Sequence, residues 1–289
     1  MSDLTFLYTL MRYLFPFECM EALFMQQAMV GLLFLAPMTA SMGIQVVNFR
    51  MAFFSDAISH SAFAGVALGL IFSLDPQLTM PAFGVFVGLA IVSVKRISTL
   101  STDTVIGVFF SAVVAFGLAV VSRDPYGARN LQQFLYGDIL TISTGDIFFL
   151  MGLFVVYFYF QAKTYNLLLY IGINSTLAKT HRVHVGFHQY TFAAFLSLVV
   201  MFSVQAVGVL LVTAMIIVPA AAARNIARSA GSMFWWALVI SLTSAVSGLI
   251  LSAQDFARTA TGATIVLVSC LWFILSGLLS YVSGFGKRG

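Results

Sequence analysis

The sequence is dominated by long apolar stretches that contain no Asp, Glu, Lys or Arg. A bilayer core about 30 Å thick requires about 20 apolar residues of helix, so each such stretch predicts a membrane span. Eight stretches qualify, and they cover residues 22 to 49, 57 to 74, 76 to 94, 104 to 122, 147 to 162, 183 to 223, 229 to 254 and 259 to 286. The sixth has 41 residues, enough for two helices, with a turn predicted near residues 203 to 208. The pattern therefore predicts eight or nine transmembrane helices.

Composition places the chain in the same class. Hydrophobic residues make up 61% of the 289 residues and charged residues only 8%, which excludes a soluble globular protein. Because the apolar residues run continuously instead of alternating, a membrane β-barrel is excluded too. We therefore predict an all-α integral membrane protein, a polytopic helical bundle of about 8–9 transmembrane helices in which residues 1–289 form one transmembrane domain. Residues 1–20 are expected to lie at the membrane interface, since Asp3 and Glu18 argue against a signal peptide.

The basic residues predict the orientation of the chain. If the loop at Arg50 is cytoplasmic, ten of the 14 Lys and Arg residues lie on the cytoplasmic side, as is usual for membrane proteins. The N-terminus is then external and the C-terminus internal. The net charge of +4 is too small for a nucleic-acid partner, so lipid is the expected surroundings. Cys19 and Cys270 form no disulfide or zinc-finger pattern.

Two ionisable residues fall within the predicted helix that contains the stretch at 57 to 74. Asp56 and His60 are four residues apart, so on a helix their side chains share a face. A helix beginning near Asn48 would place them roughly 12 to 18 Å deep, close to the membrane midplane. Charge inside the membrane is costly and marks a functional position, and a carboxylate beside an imidazole suits Zn²⁺ or Mn²⁺. The pair therefore predicts half of a metal site.

A second copy of the chain, related by a twofold axis, would complete an Asp2His2 site. A stripe of small residues beside the pair offers a surface for close helix approach, formed by Ala57, Ser61, Gly65 and Gly69. The structural alternatives are equally open at this point. Asp56 would then cap a helix that enters the membrane at Ala57, and His60 would be a buried histidine bonded to a carbonyl.

Several segments, taken in order, resemble the metal-ion permease family of ABC importers, which take up zinc, manganese or iron. The segments are RMAFFSDAISH at 50–60 with Gly65-Val66-Ala67, DTVIG at 103–107, LYGDIL at 135–140, VGVLLVTAMIIVPAAAAR at 207–224 and TGATIVLVSCLWFILS at 261–276. The resemblance covers nearly the whole chain. Ser55 replaces the common glycine before Asp56, and Ala64 replaces a frequent proline.

The resemblance implies a homodimeric permease subunit in the bacterial cytoplasmic (inner) membrane, with Asp56 and His60 as transient metal ligands. It also implies two kinds of partner, a cytosolic ATP-binding-cassette ATPase and an extracytoplasmic metal-binding protein. The chain has no GxxxxGK[ST] motif, so ATP hydrolysis is expected on the separate subunit, and the chain itself is expected to be no enzyme. No resident cofactor is expected, and the transported ion is Zn²⁺ or Mn²⁺. YGDIL slightly favours zinc, while an ATPase-independent secondary transporter or channel remains the alternative.

The segment from about residue 163 to 186 is long for a connector, which indicates a docking site. In the family a short coupling helix here enters a cleft of the ATPase, and the matching residues are Asn174, Ala178, Lys179 and Arg182. Asn174 stands where an acid is usual, and Arg182 where glycine is usual. The roles of His181, His184 and His188 stay open. Pro219, inside the stretch at 207–224, predicts a kink that is either a hinge or purely structural.

Overall fold

The computed structural model describes residues 5–122, 139–255 and 257–282, and the secondary structure of these residues is helical. The α-helices are α1 (Thr5–Leu14), α2 (Leu23–Asn48), α3 (Phe54–Phe72), α4 (Pro76–Ile97), α5 (Thr102–Val121), α6 (Thr144–Ile173), α7 (Ser175–Thr180), α8 (Val185–Val207), α9 (Val209–Ile226), α10 (Ala230–Ser252) and α11 (Thr261–Val282). Short 3₁₀ helices cover Glu18–Glu21 and Ile139–Thr141. The prediction of an all-α membrane protein is confirmed.

Eight of the described helices are long and apolar enough to cross a membrane. They are α2, α4, α5, α6, α8, α9, α10 and α11. A further long helix, α3, has 19 residues and carries Asp56 and His60. The predicted division of the sixth stretch is present, because α8 ends at Val207 and α9 begins at Val209. Gly208 between them has φ 86°, a conformation that glycine adopts without a steric penalty.

The chain between α2 and α3 differs from the sequence prediction. A helix starting near Asn48 was expected, but Asn48 is the last residue of α2 and α3 begins at Phe54. Arg50 has φ 53°, and Met51 N donates to Val46 O at 3.1 Å, the pattern of a helix end with a left-handed residue. Asp56 and His60 therefore lie in the first two turns of α3, about 3 and 9 Å along its axis.

The predicted connector after Lys163 is also different. Helix α6 continues to Ile173, so the first part of the expected loop is helical. Its 30 residues span about 45 Å, more than a hydrocarbon core of about 30 Å requires, so the part that follows Lys163 can project beyond the apolar layer. The remainder of the segment is the short helix α7 and the turn before α8.

The chain folds into two compact units. The first comprises Met1–Ile44, Gly137–Val156 and Ala206–Gly289. Inside it α9, α10 and α11 pack against one another. Gly248 of α10 permits close approach, because a Cβ there would lie 2.6 Å from Ile265 Cα of α11. Polar side chains also join helices in this unit, since Asn225 donates to Ser276 Oγ at 3.0 Å.

The second unit comprises Gln45–Tyr136 and Tyr157–Gln205. In it α3 packs against both α4 and α5. The packing against α4 is close at Gly65, where a Cβ would lie 2.8 Å from Met80 Cα. The packing against α5 is close at Gly117, where a Cβ would lie 3.1 Å from Phe63 Cβ. Both candidate metal ligands belong to this unit.

Candidate functional site

The two predicted ligands meet at the start of α3. His60 Nε2 lies 3.7 Å from Asp56 Oδ1, and the side chains are 25% and 35% exposed. Zinc binds nitrogen and oxygen ligands at about 2.0–2.2 Å, so a single ion reaches two atoms only when they are less than about 4.2 Å apart. The observed separation satisfies that condition. One protomer therefore presents two metal-binding atoms close enough to share an ion.

The pair lies on the one partly exposed stripe of an otherwise buried helix segment. Between Phe54 and Ala67, the side chains of Asp56, His60 and Phe63 are partly exposed, and every other residue is buried. This spacing of four and then three residues keeps the three side chains on one face. A charged pair presented in this way remains accessible to an ion or to another chain.

Aromatic rings surround the imidazole of His60. The ring of Phe110, on α5, meets it edge to face at 5.1 Å with an interplanar angle of 82°. The ring of Phe63 lies 5.8 Å away. These contacts restrict the orientation of the imidazole and cover part of it with apolar surface. No sequence pattern points to Phe110, because only the packing of α5 on α3 brings it to His60.

The capping alternative for Asp56 is not realised. Within the described chain, the Asp56 carboxylate accepts no backbone hydrogen bond, and its polar neighbour is His60. The small-residue stripe is also used differently from the prediction. Gly65 and Gly69 face α4, where a Cβ on Gly69 would lie 2.7 Å from Thr79 Oγ1. That part of the stripe therefore packs inside the protomer and offers no surface to a second copy.

No group of three or more His, Cys, Asp or Glu side chains is arranged to hold a metal ion in the described residues. A protomer thus brings together two ligands and not four. Two ligands hold an ion weakly, whereas zinc sites usually have four. The arrangement suits an ion that binds transiently or a site completed by another chain.

Helix α7 occupies the predicted coupling segment and begins at a well-formed cap. Asn174 Oδ1 accepts hydrogen bonds from the backbone N–H groups of Thr176 at 3.1 Å and Leu177 at 3.0 Å. Asn and Asp are about equally good at this position, so an amide performs the capping role where the resembling family has an acid. Ala178 is fully buried and packs in a cluster with Ile171 and Val185.

The end of α7 explains how Arg182 is accommodated where the resembling family usually has glycine. Arg182 has φ 60°, and Val183 N donates to Ala178 O at 3.1 Å while Arg182 N donates to Lys179 O at 3.0 Å. This is a Schellman motif with Arg182 at the left-handed position, where glycine avoids a steric penalty. The turn therefore forms with arginine in place of the usual glycine. Lys179 and Arg182 are both exposed on this segment.

Pro219 is buried inside α9, which continues from Val209 to Ile226 across it. The helix therefore accommodates the proline without ending there. The role of Pro219 as a hinge stays a prediction. Asp138, within the segment LYGDIL, lies outside the described residues.

The sequence is similar to those of known membrane transport proteins. The model of the ABC 3 transport family matches residues 21–280. The high-affinity zinc uptake system membrane protein ZnuB of Haemophilus influenzae is 32% identical over 84% of this chain and 92% of its own length. The manganese import system permease protein ScaB of Streptococcus gordonii is 28% identical over 92% of this chain and 94% of its own length.

The solved structures include a similar fold. PsaBC from Streptococcus pneumoniae, in complex with Fab, aligns with a TM-score of 0.76 and 30% identity over 89% of this chain and 91% of that chain. The family match spans most of the sequence, and the helical architecture agrees with it. The chain therefore belongs to the ABC 3 transport family, which confirms its identification as a multi-pass permease of the metal-ion ABC importers in the bacterial inner membrane.

Proposed function

We propose that this chain is the permease of an ATP-driven zinc importer and that Asp56 and His60 bind the ion during passage. The observation that carries this proposal is the Asp56–His60 pair, 3.7 Å apart on the one partly exposed stripe of the buried part of α3. A carboxylate and an imidazole are ligands that both zinc and manganese accept. A low ligand count allows the ion to enter and then leave.

A second copy of the chain would supply the other two ligands across a twofold axis. Closed twofold pairing is the commonest form of subunit association, and it brings identical stripes together. The partial exposure of Asp56, His60 and Phe63 supports this proposal, because a stripe facing a partner must be accessible in the isolated protomer. The resulting Asp2His2 site matches the four ligands that zinc usually takes.

Cytosolic ATPase subunits would drive transport through α7 and the residues around it. The exposed Lys179 and Arg182 and the buried Ala178, which anchors the helix, support this role. A rigid, capped helix transmits motion better than a mobile loop. An extracytoplasmic metal-binding protein would deliver the ion, as the family membership and the PsaBC likeness suggest.

Zinc is our first choice of ion and manganese the second. The name of ZnuB supports zinc, and that of ScaB supports manganese. Nitrogen ligation by His60 favours zinc over the harder, oxygen-preferring manganese ion. An ATPase-independent transporter or channel is the competing function, because an ion site alone does not reveal the energy source.

The test is uptake of labelled Zn²⁺ and Mn²⁺ into proteoliposomes, with and without the cognate ATPase. We expect ATP-dependent Zn²⁺ uptake that Asp56→Asn and His60→Ala each reduce by about 100-fold or more, since even changes behind the ligands of metal sites cost about 10–100-fold. The matched control is Asp75→Asn, because Asp75 caps α4 by accepting from Gln77 N at 2.8 Å and Asn caps equally well. Normal uptake by Asp56→Asn would refute the ligand role, and uptake without ATPase would favour the competing function.

The homodimer is tested separately by cysteine cross-linking in a background without Cys19 and Cys270. Phe63→Cys is expected to form a disulfide between two copies, because symmetry-related stripes meet at the axis. Leu267→Cys, on the exposed face of α11, is the control and should remain uncross-linked. A cross-link at Leu267 with none at Phe63 would contradict the proposed axis.

A further inference from the structure

A cavity in the second unit has neither Asp56 nor His60 in its lining. It lies where α2 and α4 end and where α3, α5 and α8 begin. Its floor includes the buried Phe54, Ile91 and Phe192, and its accessible apolar lining includes Phe49 and Val92, which are half-buried. Its polar lining includes Lys95, Arg96 and Thr102. We call it the Lys95/Arg96 cavity.

The cations of this cavity have no acidic partner among the described residues. Lys95 is half-buried, and its Nζ reaches only the carbonyl of Leu100, at 3.5 Å. Arg96 lies over the ring of Tyr190, with its Cζ 5.4 Å from the ring centroid. Two adjacent positive charges beside an apolar wall therefore remain available to an anion.

The local structure holds Arg96 at this place. The Tyr190 hydroxyl lies 3.1 Å from Ser93 Oγ, which restrains the ring over which the guanidinium lies. A Cβ at Gly186 would lie 2.5 Å from Arg96 Nη1, so the guanidinium occupies space that glycine leaves open. Asp103, in the first turn of α5, is the acid closest in sequence, and it is exposed to solvent. The positive charge of Arg96 is therefore held in place, and no acidic side chain of the described residues neutralises it.

The depth of the two linings matches the layers of a membrane. Val92 lies five residues before the end of α4, whereas Lys95 and Arg96 lie two residues and one residue before it. At about 1.5 Å per residue, Val92 is therefore about 7–8 Å inside the helical region, and the cations are within about 3 Å of the helix end. The cations therefore lie at the depth of lipid headgroups, and apolar surface lies deeper, where acyl chains are. An amphipathic anion fits this arrangement.

We propose that the Lys95/Arg96 cavity binds an anionic phospholipid. The headgroup phosphate contacts Lys95 and Arg96, and an acyl chain covers the accessible apolar lining formed by Phe49 and Val92. Basic pockets between transmembrane helices are a known form of headgroup recognition. The site is independent of the metal pathway, so its failure would leave the proposed transport function intact.

The experiment measures the thermal stability of the full-length chain in detergent during titration with phosphatidylglycerol. Native mass spectrometry of the same samples counts the bound lipids. We expect a saturable rise in the unfolding temperature with phosphatidylglycerol and none with phosphatidylethanolamine. Each basic residue near a membrane surface contributes about 1 kcal/mol, so Lys95→Gln with Arg96→Gln should weaken the apparent affinity about 25-fold.

The matched control is Lys163→Gln with Arg224→Gln, which removes the same charge and includes a cation in the last turn of α9. It should bind lipid as the unaltered chain does. Val92→Trp keeps both cations but fills the cavity, and it should also lose binding even if the double variant fails to fold. Equal weakening by the control, equal stabilisation by phosphatidylethanolamine, or equal stabilisation by inorganic phosphate or ATP would each overturn the lipid assignment.

Discussion

The helices α9–α11 of the first unit and α3–α5 of the second have similar lengths but differ in the polar groups they carry. In the first unit polar side chains pair between helices, as Asn225 does with Ser276 and Ser241 with the carbonyl of Ala36 at 2.9 Å. Both units also contain buried side-chain atoms without a hydrogen-bond partner among the described residues, such as Ser244 Oγ and Ser269 Oγ in the first and Ser59 Oγ in the second. The second unit also contains the Asp56–His60 pair.

The ionisable pair, and not the presence of unpartnered polar atoms, distinguishes the two sets of helices. A polar group inside the membrane that finds a partner on another helix stabilises packing, whereas an acid and an imidazole on a partly exposed stripe are costly there and mark a functional position. The first unit is therefore expected to respond to substitutions through stability. The α3–α5 helices are expected to respond through transport.

The largest effect is expected at Gly43 in the first unit. A Cβ there would lie 1.8 Å from the carbonyl oxygen of Ile216 and 2.9 Å from its carbon, and backbone atoms cannot move aside cheaply. Gly43→Ala should lower the free energy of unfolding by about 3 kcal/mol or more. Chemical denaturation in detergent measures this free energy of unfolding.

The control for Gly43 is Gly107→Ala in the second unit. A Cβ at Gly107 has no neighbour within 4 Å, so alanine should be neutral or should stabilise α5 by up to about 1 kcal/mol through helix propensity. Equal effects of the two substitutions would show that the close approach at Gly43 does not determine stability.

The next largest effect is expected at Phe110, whose ring lies edge-on to His60. Phe110→Ala should raise the metal concentration for half-maximal uptake about tenfold, because groups that orient a ligand typically change metal affinity by about 10–100-fold. The unfolding temperature should change little, since Phe110 is only half-buried. Phe116→Ala, an exposed residue of the same helix, is the control and should leave uptake unchanged. If Phe110→Ala lowers the unfolding temperature and leaves metal uptake unchanged, Phe110 serves only in packing.

A smaller effect is expected at the cap of α7. Asn174→Ala removes the acceptor for Thr176 N and Leu177 N and should destabilise this helix by about 1 kcal/mol. Hydrogen exchange of these two amides measures it, and ATP-driven uptake should fall with it if α7 transmits the ATPase motion. Asn174→Asp should preserve both properties. Unchanged exchange in Asn174→Ala would show that packing of Ala178 alone maintains the helix.

The smallest effect is expected at Ser241. Its hydroxyl donates to Ala36 O across helices, and such membrane hydrogen bonds contribute about 0.6 kcal/mol on average. Ser241→Ala should reduce the free energy of unfolding by about that amount and leave metal uptake unchanged. Parallel denaturation and uptake measurements check both. A clear loss of uptake without a loss of stability would place function in the first unit as well.

Much of the fold was predictable because the membrane restricts the choices so strongly. Apolar runs of sufficient length must become helices in lipid, and the break before Val209 followed from the residues around Gly208. The start of α3 was predicted wrongly, because a left-handed residue such as Arg50 is uncommon and leaves no pattern in the apolar periodicity. The continuation of α6 to Ile173 was missed because polarity alone does not end a helix.

The sequence by itself determined the class of protein, the number of long helices and the two residue types that suit a metal ion, since these depend on local hydrophobicity and on i, i+4 spacing. Tertiary structure decided which face of α3 stays accessible, which ring contacts His60 and where Gly65 and Gly69 pack. It also brought Lys95 and Arg96 to an apolar cavity. These features depend on distances between helices that are far apart along the chain, and a local pattern does not specify such distances.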